Sequence, residues 1–255
     1  MADNTTDHAS QLEKGMGGLP PTFVHLDRTH TAGGHVNDRT QPGLPVVHRT
    51  FANPSPLGLC LSQLCANTWE GIFLISTLGL HARGVETPNV ILGVFIFFGG
   101  LGQFLAAVME FFTGNTFGAT LWATYSAFNF SYAMIYIPGT GILAAYTDAE
   151  TGALSPEFNQ AIAIYLWAWF IVNTLYVVAA VRSSWVIFID LAILSLGFLL
   201  LAVAYMTGDQ AVMTAGYSVT MVTAALSYWA GCAGLWAGGA TPIDLPMFPM
   251  YKEAQ

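Results

Sequence analysis

Charged residues are scarce in this chain of 255 residues: only 9% are Asp, Glu, Lys or Arg, whereas an ordinary soluble domain carries about 25%. The few basic residues are also unevenly placed, because four of the seven lie within residues 1–52. The mean hydropathy is +0.55, and 54% of the residues are apolar. Such a chain cannot cover itself with a charged surface, which excludes a soluble globular enzyme and predicts a body that lies in lipid.

Basic clusters and cysteine pairs are also missing. Nucleic-acid binding needs grouped Lys and Arg, and this chain, with a net charge of −8, has no such group. Cys60, Cys65 and Cys232 have apolar neighbours, an odd count and no CxxC spacing, so a disulfide framework is not expected. We expect all three cysteines to be small packing residues.

The apolar part of the chain has almost no group for covalent or redox chemistry. Both lysines, Lys14 and Lys252, fall outside the apolar stretches, which excludes a retinal Schiff base. His81 is the only histidine after residue 48, so bis-histidine haem lacks a ligand. No GxxxxGK[ST] loop is present to hold a nucleotide. We therefore expect no cofactor, no metal and no enzymatic activity, and a transporter, a channel or a signalling membrane protein remains.

What the chain does contain is a polar tail followed by six apolar stretches. Residues 1–52 show no apolar periodicity, and we predict a disordered cytosolic tail there. Residues 53–237 form the predicted transmembrane transporter domain, and residues 238–255 a cytosolic C-terminal tail. Each stretch is close to the ~20 residues with which a helix crosses a hydrocarbon core of about 30 Å. The predicted spans are Leu57 to Leu80, Val90 to Phe112, Ala119 to Ile137, Asn159 to Val181, Val186 to Met206 and Ala211 to Leu235.

The predicted fold class is therefore an all-α membrane protein with six transmembrane helices and both termini in the cytosol. The orientation follows from the excess of Lys and Arg in cytoplasmic segments. A cytosolic N-terminus puts six basic residues inside and only Arg83 outside. The same orientation puts the acidic link at residues 138–158 outside. The tail lacks the features of a cleaved signal peptide, and the plasma membrane is the expected location.

Few ionisable residues fall inside the spans, and each is a candidate for function because a central acid costs about 2.5 to 3.5 kcal/mol. Glu110 follows Gln103 by seven residues, so both lie on one face of the second span. Glu110 either lines a path and exchanges protons or is a helix-terminal carboxylate bonded to the next loop. For Asp190, snorkelling or pairing with Arg182 is favoured over a role in a path. The role of Glu70 stays open.

The third predicted span is the most polar. Its aromatic and amide residues recur at i, i+3, i+4, i+7 and i+11, on one helical face: Tyr125, Phe128, Asn129, Tyr132 and Tyr136. This face either lines a narrow wet path or forms an aromatic packing seam, and both readings stay open. In the second span, Gly99, Gly100 and Gly102 form a small-residue face that predicts close helix packing.

Two segments place backbone amides at helix starts, where carboxylates bind. Asn53-Pro54-Ser55-Pro56-Leu57-Gly58-Leu59 opens the first span, and its prolines hold the backbone extended. Gly114-Asn115-Thr116-Phe117-Gly118 precedes the third span. Because no arginine lies in the middle of a span, an anion would be held by neutral donors or would cross as a protonated weak acid.

These segments resemble the acetate uptake transporter family, also described as succinate–acetate permease-like proteins. The family motif reads Asn-Pro-Ala-Pro-Leu-Gly-Leu, and only Ser55 departs from it here. Thr87-Pro88-Asn89, Phe98-Gly99-Gly100 with Gln103, and then Glu110 also match at the expected spacing. The resemblance implies a six-helix subunit in a hexamer. It also implies one path in each subunit for acetate and related short monocarboxylates, with succinate in some members, and coupling to protons.

The resemblance further implies a hydrophobic constriction formed by a Phe of the first helix, a Tyr of the third and a Leu of the fifth. Tyr125 and Leu194 match the Tyr and the Leu. The Phe has no match. The position expected for it is Ser62 when residues are counted forward from Asn53, and Thr68 when they are counted back from the end of the span. The first span is therefore six residues longer than the family's.

We therefore predict membrane transport of acetate and related short-chain monocarboxylates. The residues assigned to the substrate path are Asn53, Pro54, Pro56, Leu57, Gly58, Leu59, Gln103, Glu110, Asn115, Thr116, Tyr125, Phe128, Asn129 and Leu194. The predicted partners are acetate or another small monocarboxylate, the lipid bilayer and further copies of the chain in a homo-hexamer. Two alternatives stay open: a channel for a small neutral solute such as ammonia or urea, and a transport-impaired membrane sensor or scaffold.

Overall fold

The structure is a computed structural model that describes residues 29–30, 36–37, 69–236, 242–243 and 245–250. This part of the chain is mostly helical. Two short strands, β1 (Thr29–His30) and β2 (Val36–Asn37), pair antiparallel. The Asn53 to Leu59 segment and the first half of the first predicted span lie outside the described residues.

The helices follow one another with short connections. After α1 (Trp69–Gly79) and a 3₁₀ turn, α2 runs through an α-helical, a π-helical and an α-helical segment, which are Ile91–Gly93, Val94–Gly102 and Gln103–Thr113. The remaining helices are α3 (Thr116–Tyr136), the short α4 (Ile142–Ala145), α5 (Pro156–Ala179, with a 3₁₀ extension at Ala180–Arg182), α6 (Trp185–Thr207) and α7 (Gln210–Trp236).

Three of the described helices are long and apolar enough to cross a membrane: Ile91–Phe112, Pro156–Arg182 and Trp185–Thr207. They correspond, within a few residues at each end, to the second, fourth and fifth predicted spans. The helices α3 and α7 are also long, with 21 and 27 residues, but they carry more hydroxyl and amide side chains. Within the described part of the chain, three of the six predicted spans thus meet the criterion of length and composition.

Local signals in the sequence set the helix ends. The Ser155 hydroxyl caps α5 by accepting a backbone N–H of the first turn at 3.2 Å, and Pro156 follows at a position where no N–H is needed. The Ser184 hydroxyl caps α6 in the same way at 3.3 Å. At its other end α6 stops at Gly208, whose φ of 71° is left-handed.

The long helices form a closed ring. Helix α2 packs against α3 and α1, α1 packs against α7, α7 against α6, and α6 against α5. Side chains close the ring between α3 and α5: the Tyr176 hydroxyl donates to Thr124 Oγ1 at 2.7 Å, and the Phe128 and Trp169 rings meet edge to face at 5.0 Å. Because successive helices run in opposite directions, the loops after α1, α3 and α6 share one end of the bundle.

Glycines of α2 let α3 approach closely. A Cβ added at Gly99 would overlap the Asn129 side chain, and one added at Gly100 would lie 2.5 Å from the Phe130 ring. The Gly100 carbonyl accepts a hydrogen bond from Ser126 Oγ at 2.7 Å. The small-residue packing face expected in the second span therefore lies at the contact between α2 and α3.

The acidic link after α3 is folded into turns. The Asp148 carboxylate accepts hydrogen bonds from Thr151 N at 2.7 Å, Thr151 Oγ1 at 3.0 Å and Glu150 N at 2.9 Å. These bonds, those from Thr151 above all, stabilise the charged form and lower the pKa of Asp148. Thr147 and Leu154 pair across the turn as an isolated bridge.

Candidate functional site

Two cavities lie one after the other inside the ring of helices. The first, which we call the mouth, has a volume of about 260 Å³ and lies where the loop after α1 meets the ends of α3 and α6 and the start of α7. The second, the inner cavity, has a volume of about 70 Å³ and is lined by α1, α2, α3, α5, α6 and α7. The two share five lining residues: Ile75, Phe95, Tyr132, Tyr205 and Tyr217.

The mouth has a polar rim. His81 follows α1 with a left-handed φ of 51°, and both His81 and Glu86 are exposed. Asn89, Tyr136 and Gln210 add amide and hydroxyl groups to the same wall. Such a rim suits a hydrated solute.

The inner cavity has a largely apolar wall. Its aliphatic and aromatic hydrocarbon lining comes from Ile72, Ile75, Phe95, Phe128, Leu166, Leu194, Phe198 and Leu201. Its polar lining comes from Tyr125, Asn129, Tyr132, Tyr205, Tyr217 and Thr220. Among the lining residues that the structure describes, none is acidic or basic. The volume is about half of the ~150 Å³ of an engineered protein cavity that admits benzene, so the space suits a solute of two or three carbons.

The Tyr125 hydroxyl is held by a buried network behind the wall of the inner cavity. It donates to Asn173 Oδ1. Asn173 is fully buried, and its Nδ2 donates to the Leu191 carbonyl at 2.9 Å and to Ser195 Oγ at 2.7 Å. Since the Leu191 carbonyl can only accept, the orientation of the Asn173 amide is fixed. The single proton of the Tyr125 hydroxyl is therefore used, and toward the cavity this hydroxyl can only accept.

Asn129 likewise presents an acceptor. Its Nδ2 donates to the Tyr125 carbonyl at 2.8 Å and to Gln103 Oε1 at 3.2 Å, which uses both N–H groups. Its Oδ1 packs against Gly99 of α2, where an added Cβ would overlap it, and lies 3.8 Å from the position of a Cβ built on Gly71 of the cavity wall. Gln103 is fully buried behind Asn129, so it supports that side chain and does not line either cavity.

Thr220 completes this set of acceptors. Its Oγ1 lies 3.0 Å from the Tyr217 carbonyl, to which it donates, and 2.7 Å from Ser76 Oγ. Ser76 Oγ also lies 2.6 Å from the Ile72 carbonyl. The two hydroxyls have only two protons, and the Tyr217 and Ile72 carbonyls accept them. Neither hydroxyl therefore has a proton left for a solute.

Glu110, Asn115 and Thr116 lie at the bundle end opposite the mouth, around the turn between α2 and α3. Asn115 Nδ2 donates to Glu110 Oε2 at 2.7 Å, and Asn115 Oδ1 caps α3 by accepting Gly118 N at 3.1 Å. Gly114 makes the turn possible with a φ of 80°. Glu110 thus accepts a hydrogen bond from the next loop at the end of its helix, and neither cavity includes these residues. Its role in proton exchange stays a prediction.

The Asp190 carboxylate joins α6 to α7. It accepts the Ser227 hydroxyl at 3.1 Å and 3.0 Å. Its partner is therefore Ser227, whereas the sequence suggested Arg182, which is exposed. The Glu70 side chain lies outside the described residues.

The structure brings four of the predicted path residues to one place: Tyr125, Phe128, Asn129 and Leu194 all line the inner cavity. The six predicted residues between Asn53 and Leu59 lie outside the described residues. Sequence reasoning missed Asn173, Tyr205, Tyr217 and Thr220. The signal for Tyr217 and Thr220 was their spacing of three, which puts them on one face of the sixth span.

Comparison with known proteins adds an independent observation. The model of the GPR1/FUN34/yaaH family matches residues 36–252. Ammonia transport outward protein 2 of Saccharomyces cerevisiae is 34% identical over 214 residues, which cover 84% of this chain and 71% of that protein. Acetate permease A of Emericella nidulans is 34% identical over 203 residues, which cover 76% of this chain and 66% of that protein. The structure of the bacterial acetate channel SatP has a similar fold, with a TM-score of 0.57 at 22% identity over 71% of this chain and 91% of that one.

Proposed function

The chain belongs to the GPR1/FUN34/yaaH family, and on that premise we propose that it carries acetate and related short-chain monocarboxylates across a membrane. The observation that carries the proposal is the inner cavity, which is narrow, mostly apolar and lined by no charged side chain among the described residues. The names of two relatives, an acetate permease and an ammonia transport protein, are consistent with a small solute.

The hydrogen-bonding state of the inner cavity favours the protonated acid. In the deeper part of this cavity, beyond Tyr132, Tyr205 and Tyr217, the polar groups of Tyr125, Asn129 and Thr220 have their protons engaged elsewhere and offer only acceptors. A carboxylate there would face lone pairs and an apolar wall without a cation, at a cost of several kcal/mol. A carboxylic acid donates its O–H to such an acceptor. We therefore propose that a proton crosses together with each acid molecule.

The constriction is proposed to lie at Tyr125 and Leu194, with Phe128 and Asn129 beside them. All four line a space that suits two or three carbons. We propose that size selection occurs here, because a cavity of about 70 Å³ has no room for a longer carbon chain. Gln103 is proposed to act indirectly, since it holds the Asn129 amide.

The remaining features of the transporter are also proposals. Six membrane-crossing helices with cytosolic termini fit the ring of α1, α2, α3, α5, α6 and α7, and in this orientation the mouth faces outward. A homo-hexamer is proposed from the family resemblance, and the plasma membrane is kept as the proposed location. Asn115 and Thr116 are proposed to lie near the cytosolic exit, where Asn115 orders the turn before α3.

The test is uptake of radiolabelled acetate into liposomes that contain the purified chain, with and without an inward proton gradient. Protein-free liposomes provide the background, because protonated acetic acid also crosses lipid, and at an external pH of 6.5 only roughly 1% of the acid is protonated. We expect protein-dependent uptake that the inward proton gradient accelerates. Absence of protein-dependent uptake under both conditions would refute the proposal.

Ammonia is the second candidate solute, because its N–H groups suit the same set of acceptors and a relative is named as an ammonia transport protein. The same liposomes, loaded with a pH-sensitive dye and exposed to an ammonium gradient, measure its permeation. Protein-dependent alkalinisation without acetate uptake would assign the chain to ammonia instead.

A further inference from the structure

Four tyrosines stand at the boundary between the two cavities. Tyr132, Tyr205 and Tyr217 line both the mouth and the inner cavity, and Tyr136 lines the mouth beside them. They come from three helices, α3, α6 and α7, and we call them the tyrosine ring. Any solute that moves from the mouth to the inner cavity passes this ring.

The tyrosine ring differs in its hydrogen bonds from the deeper wall of the inner cavity at Tyr125, Asn129 and Thr220. The hydroxyls of Tyr132 and Tyr136 lie 3.2 Å apart and share one hydrogen bond. Tyr205 and Tyr217 line both cavities from α6 and α7, and their hydroxyls lie near each other. Each pair has two protons and can use at most one of them between its own two hydroxyls, so each pair keeps at least one O–H for a solute. Two donors match the two oxygens of a carboxylate.

Packing holds two of these rings in place. The Tyr132 ring meets Phe95 edge to face at 5.3 Å and stacks on Phe128 at 5.7 Å. The Tyr217 ring lies so close to Gly79 that a Cβ there would overlap it. Tyr132 and Tyr217 are only 8% and 9% exposed. Their hydroxyls are therefore positioned before a solute arrives, which reduces the entropy lost on binding.

We infer that the tyrosine ring is a binding site for the carboxylate group of a short aliphatic acid, separate from the constriction at Tyr125 and Leu194. The inference rests on the proposed function and adds a step to it. The acid leaves the hydrated mouth and exchanges water for two phenolic donors. Beyond the ring, Tyr125, Asn129 and Thr220 offer it only acceptors, so the carboxylate takes up a proton from water of the mouth before it moves deeper.

The experiment compares Tyr205→Phe, Tyr217→Phe and the double variant with the unchanged chain. Each substitution removes a hydroxyl and keeps the ring, so the width of the path is preserved. Tyr146→Phe is the matched control, because Tyr146 lies in the link after α4 and lines neither cavity. Binding of ¹³C-acetate to the purified chain in nanodiscs is measured by saturation-transfer NMR, and uptake is measured in liposomes. Thermal unfolding establishes that the variants are folded.

We expect each single variant to weaken acetate binding about three- to tenfold, the typical effect of one lost hydrogen bond. The KM for uptake should rise by a similar factor while the maximum rate changes little, which a purely structural role would not produce. Binding and KM equal to those of Tyr146→Phe would overturn the inference.

The two readouts separate this inference from the proposed function. Acetate binding that depends on the hydroxyls, without protein-dependent uptake, supports the tyrosine ring and refutes acetate transport. Uptake that is insensitive to the hydroxyls supports transport and refutes the ring. If the unchanged chain neither binds nor takes up acetate, both are refuted.

Discussion

The mouth and the inner cavity adjoin each other but are built from different residues. The mouth, at about 260 Å³, is rimmed by His81, Glu86 and Asn89, and it holds a solute with its water. The inner cavity, at about 70 Å³, is walled mainly by Leu, Ile and Phe, and its polar groups beyond the tyrosine ring offer acceptors. The difference supports the proposal that a solute keeps its water in the mouth and is selected in the inner cavity, with the tyrosine ring between them.

The two regions also depend on different parts of the fold. The rim of the mouth comes mostly from a loop and from helix ends, where a substitution is accommodated by local movement. The wall of the inner cavity comes from six helices that pack at close distance, where interiors tolerate little change in volume. We therefore expect substitutions at the inner cavity to have the larger effects.

The largest effect is expected from Gly99→Ala. The added Cβ would overlap the Asn129 side chain, whose amide is held by the Tyr125 carbonyl and Gln103. The amide must give up these bonds and move toward the inner cavity, at a cost of about 1 to 3 kcal/mol in unfolding free energy. Acetate uptake in liposomes should fall about tenfold or more.

Gly93→Ala is the control for this change, because it lies on the same helix and a Cβ there meets nothing within 4 Å. It should leave uptake unchanged. Equal uptake by both variants would show that the inner cavity does not limit the rate.

A smaller effect on rate but a clear effect on selectivity is expected from Leu194→Ala. Removing this side chain enlarges the constriction, so uptake of lactate relative to acetate should rise several-fold, while stability falls by about 2 to 5 kcal/mol. Leu196→Ala is the control, since Leu196 is 45% exposed on the same helix. An unchanged ratio of lactate uptake to acetate uptake would show that Leu194 is not part of the constriction.

The smallest effect is expected at the mouth, from Glu86→Gln. Removing a negative charge from the rim should raise the apparent association rate for acetate about twofold at low salt, because the carboxylate is repelled less. The gain should disappear at 0.15 M salt, where the Debye length is about 8 Å. Glu150→Gln, in the exposed link outside both cavities, should show no change. Gains of the same size in both variants would mean that the mouth has no special role.

Much of the helical architecture could be predicted, because it depends on local patterns. The ends of α2, α5 and α6 agree with the predicted spans within a few residues, since composition, capping serines and terminal glycines act within one turn. The i, i+4 spacing of Tyr125 and Asn129 likewise placed both on one face of α3. The partners of these residues could not be predicted in the same way, because Asn173 lies 48 residues beyond Tyr125 and Gln103 lies 26 before Asn129.

By itself, the sequence determined that the chain is an apolar helical protein with almost no charge in its body, because composition and periodicity are properties of short segments. Only the tertiary structure decided which polar groups keep a proton for a solute. Asn173, Gln103 and Ser76 each engage a residue of the cavity wall from another helix. Hydrogen bonds between helices depend on distances across the bundle, and these distinguish the acceptors at Tyr125, Asn129 and Thr220 from the donors of the tyrosine ring.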